Sequence, residues 1–354
     1  MEAALYHPEG GYYARGFRVG RAGDFVTSPH VHPLFGALCA RQLLDFRSRL
    51  GGGPFRVVEQ GAGAGYLAAD ILGYLERKAA LDGVTYVVVE PFEHLKALQA
   101  ERLERYGDRV RWVGAAAELS PAPGCVLTNE LLDAFPVHLV VREADGFREV
   151  YVDWEGGAFR EVTGPPSSPE LAAEVAALPA DLPPGYRTEI NLEARRWLRE
   201  AAGGLDRGFV LTVDYGFTRR EYLHPARSGG TLLAYGGHRA FADVLQDPGT
   251  RDITAHVNFT DLARWGRRFG LQPLGYAPQW SFLASLDVEA ALRDLDGGPP
   301  PPFSPQAAAV KMLLLPQGMG DSHKVFVQGK AVAAEPVPAG FRLRNLVHRL
   351  EEEP

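Results

Sequence analysis

Two carboxylates, each closing an apolar run, frame the clearest chemical signal in the chain. The first run, Val57-Val58-Glu59-Gln60, leads into Gly61-Ala62-Gly63-Ala64-Gly65; the second, Tyr86-Val87-Val88-Val89, stops at Glu90. Glycines at alternate positions let backbone N–H groups approach a ligand where a Cβ would collide. Acids after two consecutive strands can accept hydrogen bonds from hydroxyls or face a cation. Together they suit a nucleoside-containing ligand over the first crossover of an α/β sheet. A tight strand-to-helix turn with ordinary surface acids is the plainer alternative. A further polar group, Asn129-Glu130-Leu131-Leu132-Asp133, follows the apolar run at 124–128, and Asp214 closes Phe209-Val210-Leu211-Thr212-Val213. Ligands of open α/β sheets bind beyond the carboxyl ends of strands, which directs Asn129 and Glu130 toward the ligand's reactive end. Glu130 also reads as a helix N-terminal acid favoured by the macrodipole, and Asp133 as a solvated helix acid.

The elements that would position these groups alternate. Pattern predicts strands at 55–59, 84–89, 109–113 and 124–128, with helices at 67–80 and 92–106 between the first three. Continuous apolar strands separated by helices imply a parallel sheet covered on both faces. A helix at 33–50 precedes them and ends at Gly51-Gly52-Gly53-Pro54. Shorter strands at 137–142, 147–153 and 159–162 read as a β-rich piece. Parallel architecture resumes with a helix at 191–202, a strand at 209–213, a Thr260-capped helix at 261–269 and a strand at 271–279. Pro299 to Pro302 form a joint before a helix at 304–314. The expected division is an N-terminal flap and helix (1–50), an α/β domain (51–136 and 186–330), a β-rich insertion offering a substrate or partner surface (137–185), and a peripheral tail (331–354).

Bulk properties narrow the function classes. A net charge of −7 over 354 residues argues against nucleic acid as a partner. The only cysteines, Cys39 and Cys125, sit in apolar runs and read as buried thiols, too few for a disulfide framework or a zinc site. His30 and His32 form an H-x-H pair with no evident third ligand, so no metal is expected. No basic leader and no apolar run of about 20 residues is present, so no membrane span and a cytoplasmic location are expected.

The dinucleotide fingerprint G-x-G-x-x-G would need glycine at 66, which is Tyr66. This disfavours a nicotinamide oxidoreductase. The spacing E-x-G-x-G-x-G resembles the S-adenosylmethionine turn of Rossmann-like methyltransferases. In that reading Glu90 accepts both ribose hydroxyls, Glu59 holds the ammonium end, and Gly61, Gly63 and Gly65 shape the turn beside Asn129. Ordered blocks across roughly residues 5–330 resemble the MidA family of methyltransferases. They include His7-Pro8-Glu9-Gly10-Gly11-Tyr12-Tyr13, Gly23-Asp24-Phe25-Val26-Thr27-Ser28-Pro29 and Asn129-Glu130-Leu131-Leu132-Asp133-Ala134-Phe135-Pro136. Asp214-Tyr215-Gly216 and Asp252-Ile253-Thr254-Ala255-His256-Val257 follow. Two positions depart: His30 stands where the family usually has Glu, and Asn258 where Asp is usual.

The resemblance implies an α/β, Rossmann-like class I methyltransferase fold with an N-terminal extension and a β-rich insertion. It implies S-adenosylmethionine as cofactor and a protein substrate, in the mitochondrial relatives an arginine of a respiratory complex I subunit. Guanidinium is protonated at neutral pH and has no free lone pair, so carboxylates must align it and localise its charge away from the attacked nitrogen. Glu130 is the first candidate, with Asp133 or Asp214 second. His256 is a candidate for taking the departing proton, a structural hydrogen-bonded histidine being the equal alternative. Asp24 reads as part of a flap over the cofactor, or simply as a Gly-Asp turn. A non-catalytic assembly factor that keeps the cofactor pocket is the competing function. Monomer and homodimer both stay open.

Overall fold

The computed structural model describes residues 1–15, 27–237 and 239–351. Seven strands make the main sheet: β1 Phe55–Gln60, β2 Val84–Val89, β3 Val110–Val113, β4 Ala122–Asn129, β5 Leu205–Phe217, β6 Leu271–Pro278 and β7 His323–Lys330. Their spatial order is β3-β2-β1-β4-β5-β7-β6, with a short pairing of Val257–Asn258 beside β5. The first five run parallel, and β7 inserts antiparallel between β5 and β6. Burial on both faces explains the unbroken apolar runs. Val57, Val88, Phe209 and Leu211 pack into one core, while Val58, Val87, Val89 and Val210 pack into the other. Helices Leu34–Arg49 and Tyr66–Arg77 cover the first face, where the Phe46 and Phe209 rings stack at 3.9 Å. Helices Leu192–Gly203 and Phe259–Arg268 cover the second through Trp197, Leu198, Leu262 and Trp265.

Strand order reverses between β1 and its neighbours β2 and β4. The loops after these strands diverge there and open a crevice. The antiparallel course of β7 has a second consequence. Its first residue, His323, pairs with Tyr215, so the start of β7 lies at the end of the sheet where β4 and β5 finish.

The insertion is a four-stranded antiparallel sheet built from His138–Glu143, Gly146–Glu155, Ala158–Gly164 and Arg187–Ile190. It therefore extends past residue 185, because Arg187–Ile190 pairs with its first strand. A second small sheet, Leu233–Gly236, Arg239–Phe241 and Asp252–Thr254, was not anticipated. It packs against Leu5 and Tyr12 of the N-terminal segment, where Glu2–Tyr6 is helical. The helix at 92–106 is shorter than expected, spanning Glu93–Leu103 before a 3-10 stretch. Asn258, not Thr260, caps helix Phe259–Arg268 by accepting from the Asp261 N–H at 3.3 Å. Thr260 instead accepts from the Arg219 N–H at 2.9 Å.

The tail at 331–351 is not peripheral. Phe341 is 1% exposed against Phe282 with ring centroids 5.4 Å apart, and Leu350 is buried in the core that holds Tyr276 and Phe326. Phe341→Ala is expected to cost about 3–5 kcal/mol, the usual range for truncating a buried phenylalanine. Urea unfolding of the two proteins measures it, and a change under 1 kcal/mol would return the tail to the periphery.

Candidate active site

The turn after β1 depends on backbone freedom. Gly61, Gly63 and Gly65 have φ of 79°, 53° and 80°. Such angles strain any residue with a Cβ. A Cβ at Gly61 would also come within 3.0 Å of Leu131, whereas one at Gly63 would meet nothing within 4 Å. Gly61 and Gly63 border a cavity of about 210 Å³; Gly65 does not, and instead starts helix Tyr66–Arg77. The cavity lies between the β1 turn, the β2 end and the β4 end, roofed by Tyr6, Tyr13, Thr27, Pro29 and His30 from the N-terminal region. Asp24 lies outside the described residues.

Both strand-end acids reach this cavity. Glu59 is 2% exposed and accepts from the Tyr86 hydroxyl at 2.8 Å; burial pushes its carboxyl up to about 7. Glu90 accepts from the Phe92 N–H at 3.0 Å and from Gln99 Nε2 at 2.9 Å, and burial raises its carboxyl as well. Asn129 borders the cavity with a buried Oδ1 that has no partner within the protein. A cradle of bare backbone, two buried carboxylates and an orphaned acceptor fit a cationic nucleoside cofactor: hydroxyls and an ammonium supply the donors these groups lack.

Glu130 stands at the far end. Its backbone holds φ at 52°, a strained left-handed conformation for a residue with a Cβ. Oε1 accepts from Asn129 Nδ2 at 3.0 Å and the Ser28 N–H at 3.3 Å, and Oε2 from the Tyr215 hydroxyl at 2.5 Å. His323 Nε2 lies 3.5 Å from Oε1. Burial alone would raise this carboxyl, but His323, Tyr215 and Asn129 outweigh it and hold it below the ordinary range. Glu130 is therefore a buried, ionised carboxylate.

It also borders a second cavity, of about 320 Å³. Asp133, Asp252 and His256 line that space, with Tyr13, Tyr215 and Tyr235 as aromatic walls. Glu130 and Tyr13 belong to both cavities. The second cavity's charged lining is acidic throughout, and no Lys or Arg lines it among the described residues. His256 keeps its Nδ1 buried without a partner; burial, then Arg227 and Lys324, lower the ring to about 4, so it is neutral at pH 7.

Asp214 is different. The structure brings it to neither cavity: Oδ2 accepts from the Leu132 N–H and Oδ1 from the Tyr215 N–H, both at 2.9 Å. It braces the turn that carries Glu130 and the strand that carries Tyr215. Asn258 is a helix cap, so the loss of a carboxylate there leaves both cavities unchanged. His30 does face the first cavity, 4.5 Å from the Tyr66 ring, whereas His32 Nδ1 accepts from the Leu34 N–H. Sequence reasoning missed Tyr215, Asp252 and Tyr13 as site residues although they fall in the quoted blocks. Nothing local marked His323.

Residues 38–277 match a family described as "Putative S-adenosyl-L-methionine-dependent methyltransferase". A crystal structure from Burkholderia thailandensis, a COG1565 superfamily member bound to S-adenosyl-homocysteine, is 34% identical with a TM-score of 0.87. The match covers 98% of this chain and 90% of that one. "Protein arginine methyltransferase NDUFAF7, mitochondrial" of Danio rerio is 28% identical, covering 92% of this chain and 81% of its own length. The Drosophila melanogaster homolog of the same name is 30% identical over 83% and 72%. The expected cytoplasmic location does not stand. It rested on the want of a leader and a span, and these relatives are named mitochondrial. Among the described residues no helix is long and apolar enough to cross a membrane.

Glu59 supplies a test of the first cavity's electrostatics. Its folded carboxyl titrates above the unfolded value, so the native state binds the extra proton between about pH 4.5 and 7. This contribution to stability is present at low pH and lost as pH rises through 7. Glu59→Gln removes that loss and is expected to gain on wild type by about 1–3 kcal/mol between pH 5.5 and pH 8 without cofactor. Urea titrations at both pH values measure it; an unchanged gap would mean that Glu59 is ionised in the native protein at pH 5.5.

Proposed function

The chain belongs to this family of S-adenosyl-L-methionine-dependent methyltransferases, the MidA-like group its sequence resembles, and from that premise we propose that it methylates an arginine side chain of a protein. One observation carries the finer reading. The cofactor cavity and a second cavity, lined by acids and by no Lys or Arg among the described residues, meet at one ionised carboxylate, Glu130. A cation is the acceptor such a lining favours, and a planar guanidinium can engage a carboxylate through two N–H groups. The relatives named as protein arginine methyltransferases support the same acceptor.

S-adenosylmethionine supplies an electrophilic methyl on a sulfonium. In our reading Glu59 and Glu90 hold its ammonium and ribose ends, and the bare backbone at Gly61 and Gly63 admits it closely. Glu130 orients the acceptor. Because Tyr215, Asn129 and the Ser28 N–H already fix its carboxylate, little reorganisation is needed when the guanidinium arrives. Pinning the acceptor's charge against Glu130 leaves the opposite nitrogen to attack in line. His256, neutral and with an unpartnered Nδ1 on the second cavity, is placed to take the proton released after transfer. A complex I subunit is the first acceptor protein to try.

Labelled S-adenosylmethionine incubated with host lysate, followed by mass spectrometry of the labelled protein, tests this. Methylarginine is expected. Glu130→Gln should lower kcat on the order of 10²-fold while S-adenosylhomocysteine binding stays within about threefold. Label on lysine, histidine or an oxygen would sink the arginine reading. A protein that binds cofactor but labels nothing would favour an assembly factor.

A further inference from the structure

Three carboxyls line the acceptor cavity, Glu130, Asp133 and Asp252, and Asp214 stands behind it; each is 5% exposed or less. Three of the four have visible donors. Glu130 has those described above, Asp214 has two backbone amides, and Asp252 Oδ1 accepts from the Tyr13 hydroxyl at 2.9 Å. Asp133 differs. The residue lines the cavity, and the Ala134 N–H acts on its carboxyl, but its Oδ1 is buried with no hydrogen-bond partner within the protein. An ionised carboxylate with an unpaired oxygen at such a depth is costly, and a neutral carboxyl is far less so.

The surroundings point the same way. Asp133 faces Glu130 and Asp214 at the sheet ends, Asp252 on the small sheet, Tyr6 and Tyr13 of the N-terminal segment, and Tyr215 and Tyr235. The neutral His256 is on the same cavity, and the cations that act on that ring, Arg227 and Lys324, do not line it.

Resting on the arginine reading, we propose that Asp133 carries a proton while the acceptor cavity is empty and releases it to solvent when a guanidinium enters. Binding then exchanges one proton for one cation: the Asp133 O–H breaks, the proton leaves to buffer, and the new carboxylate faces the guanidinium. Burial, then Asp214, Asp252 and Glu130, hold the Asp133 carboxyl well above the ordinary range, consistent with this exchange. The device admits a cation without leaving a second bare anion in the empty protein. It also makes acceptor affinity rise with pH, by up to about tenfold per unit for one proton.

The test is calorimetry of an acetylated Gly-Arg-Gly amide binding to the full-length protein saturated with S-adenosylhomocysteine. Titrations at pH 7 in two buffers of different ionisation enthalpy count the protons. About one proton released per peptide is expected, and Asp133→Asn should bind with none. Difference infrared spectra of wild type provide a readout that needs no variant: a protonated-carboxyl band should disappear on binding. Binding without buffer-dependent heat would overturn the proposal and leave the arginine reading intact. Release that persists in folded Asp133→Asn would assign the proton to another carboxyl and also overturn it. No binding by this peptide would overturn both.

Discussion

A carboxylate stays ionised inside a protein only if donors replace the water it loses. Glu130 meets that condition, and much of the structure around it exists to supply those donors. Tyr215 comes from the end of β5, Asn129 from the end of β4 and the Ser28 N–H from the N-terminal segment, while the His323 ring, from the start of β7, stands 3.5 Å away. No single element could deliver all four. The parallel order brings β4 beside β5, and the antiparallel return of β7 carries His323 back to the same sheet end. Asp214 braces the turn by taking two backbone amides. The left-handed backbone at Glu130 is strain held in place by these contacts.

The site divides by charge at that residue. On one side, bare glycine backbone and two strand-end acids suit a cofactor whose positive groups need acceptors. On the other, acids and tyrosines enclose a space suited to a cation. His30 roofs the first cavity, its ring tilted 55° to that of Tyr66 at 4.5 Å. The acidic lining of the second cavity does not depend on that position.

What was legible in the sequence was local. The β1 turn could be read because a strand, an acid and three glycines are contiguous, and the doubly covered parallel sheet because its strands are continuously apolar. Glu59, Glu90, Asn129 and Glu130 followed from the rule that strand ends line the crevice. The rule misplaced Asp214, since a strand-end acid can turn to backbone amides as easily as to a ligand. Residues that meet only through distant folding were illegible. Tyr13 and Asp252 are 239 positions apart, and His323 is placed by an antiparallel strand that no local pattern announced. The tail misled for a related reason. Its prolines and charges read as surface, while Phe341 and Leu350 complete cores formed by earlier segments.

In the proposed site the cofactor cavity and the acceptor cavity meet at an ionised Glu130. A crystal structure of the protein with S-adenosylhomocysteine and an arginine peptide tests it most directly. The sulfur end of the cofactor is expected near Asn129, and the guanidinium in the second cavity hydrogen-bonded to Glu130. An arginine seated elsewhere, or a Glu130 carboxylate turned away from both ligands, would contradict it.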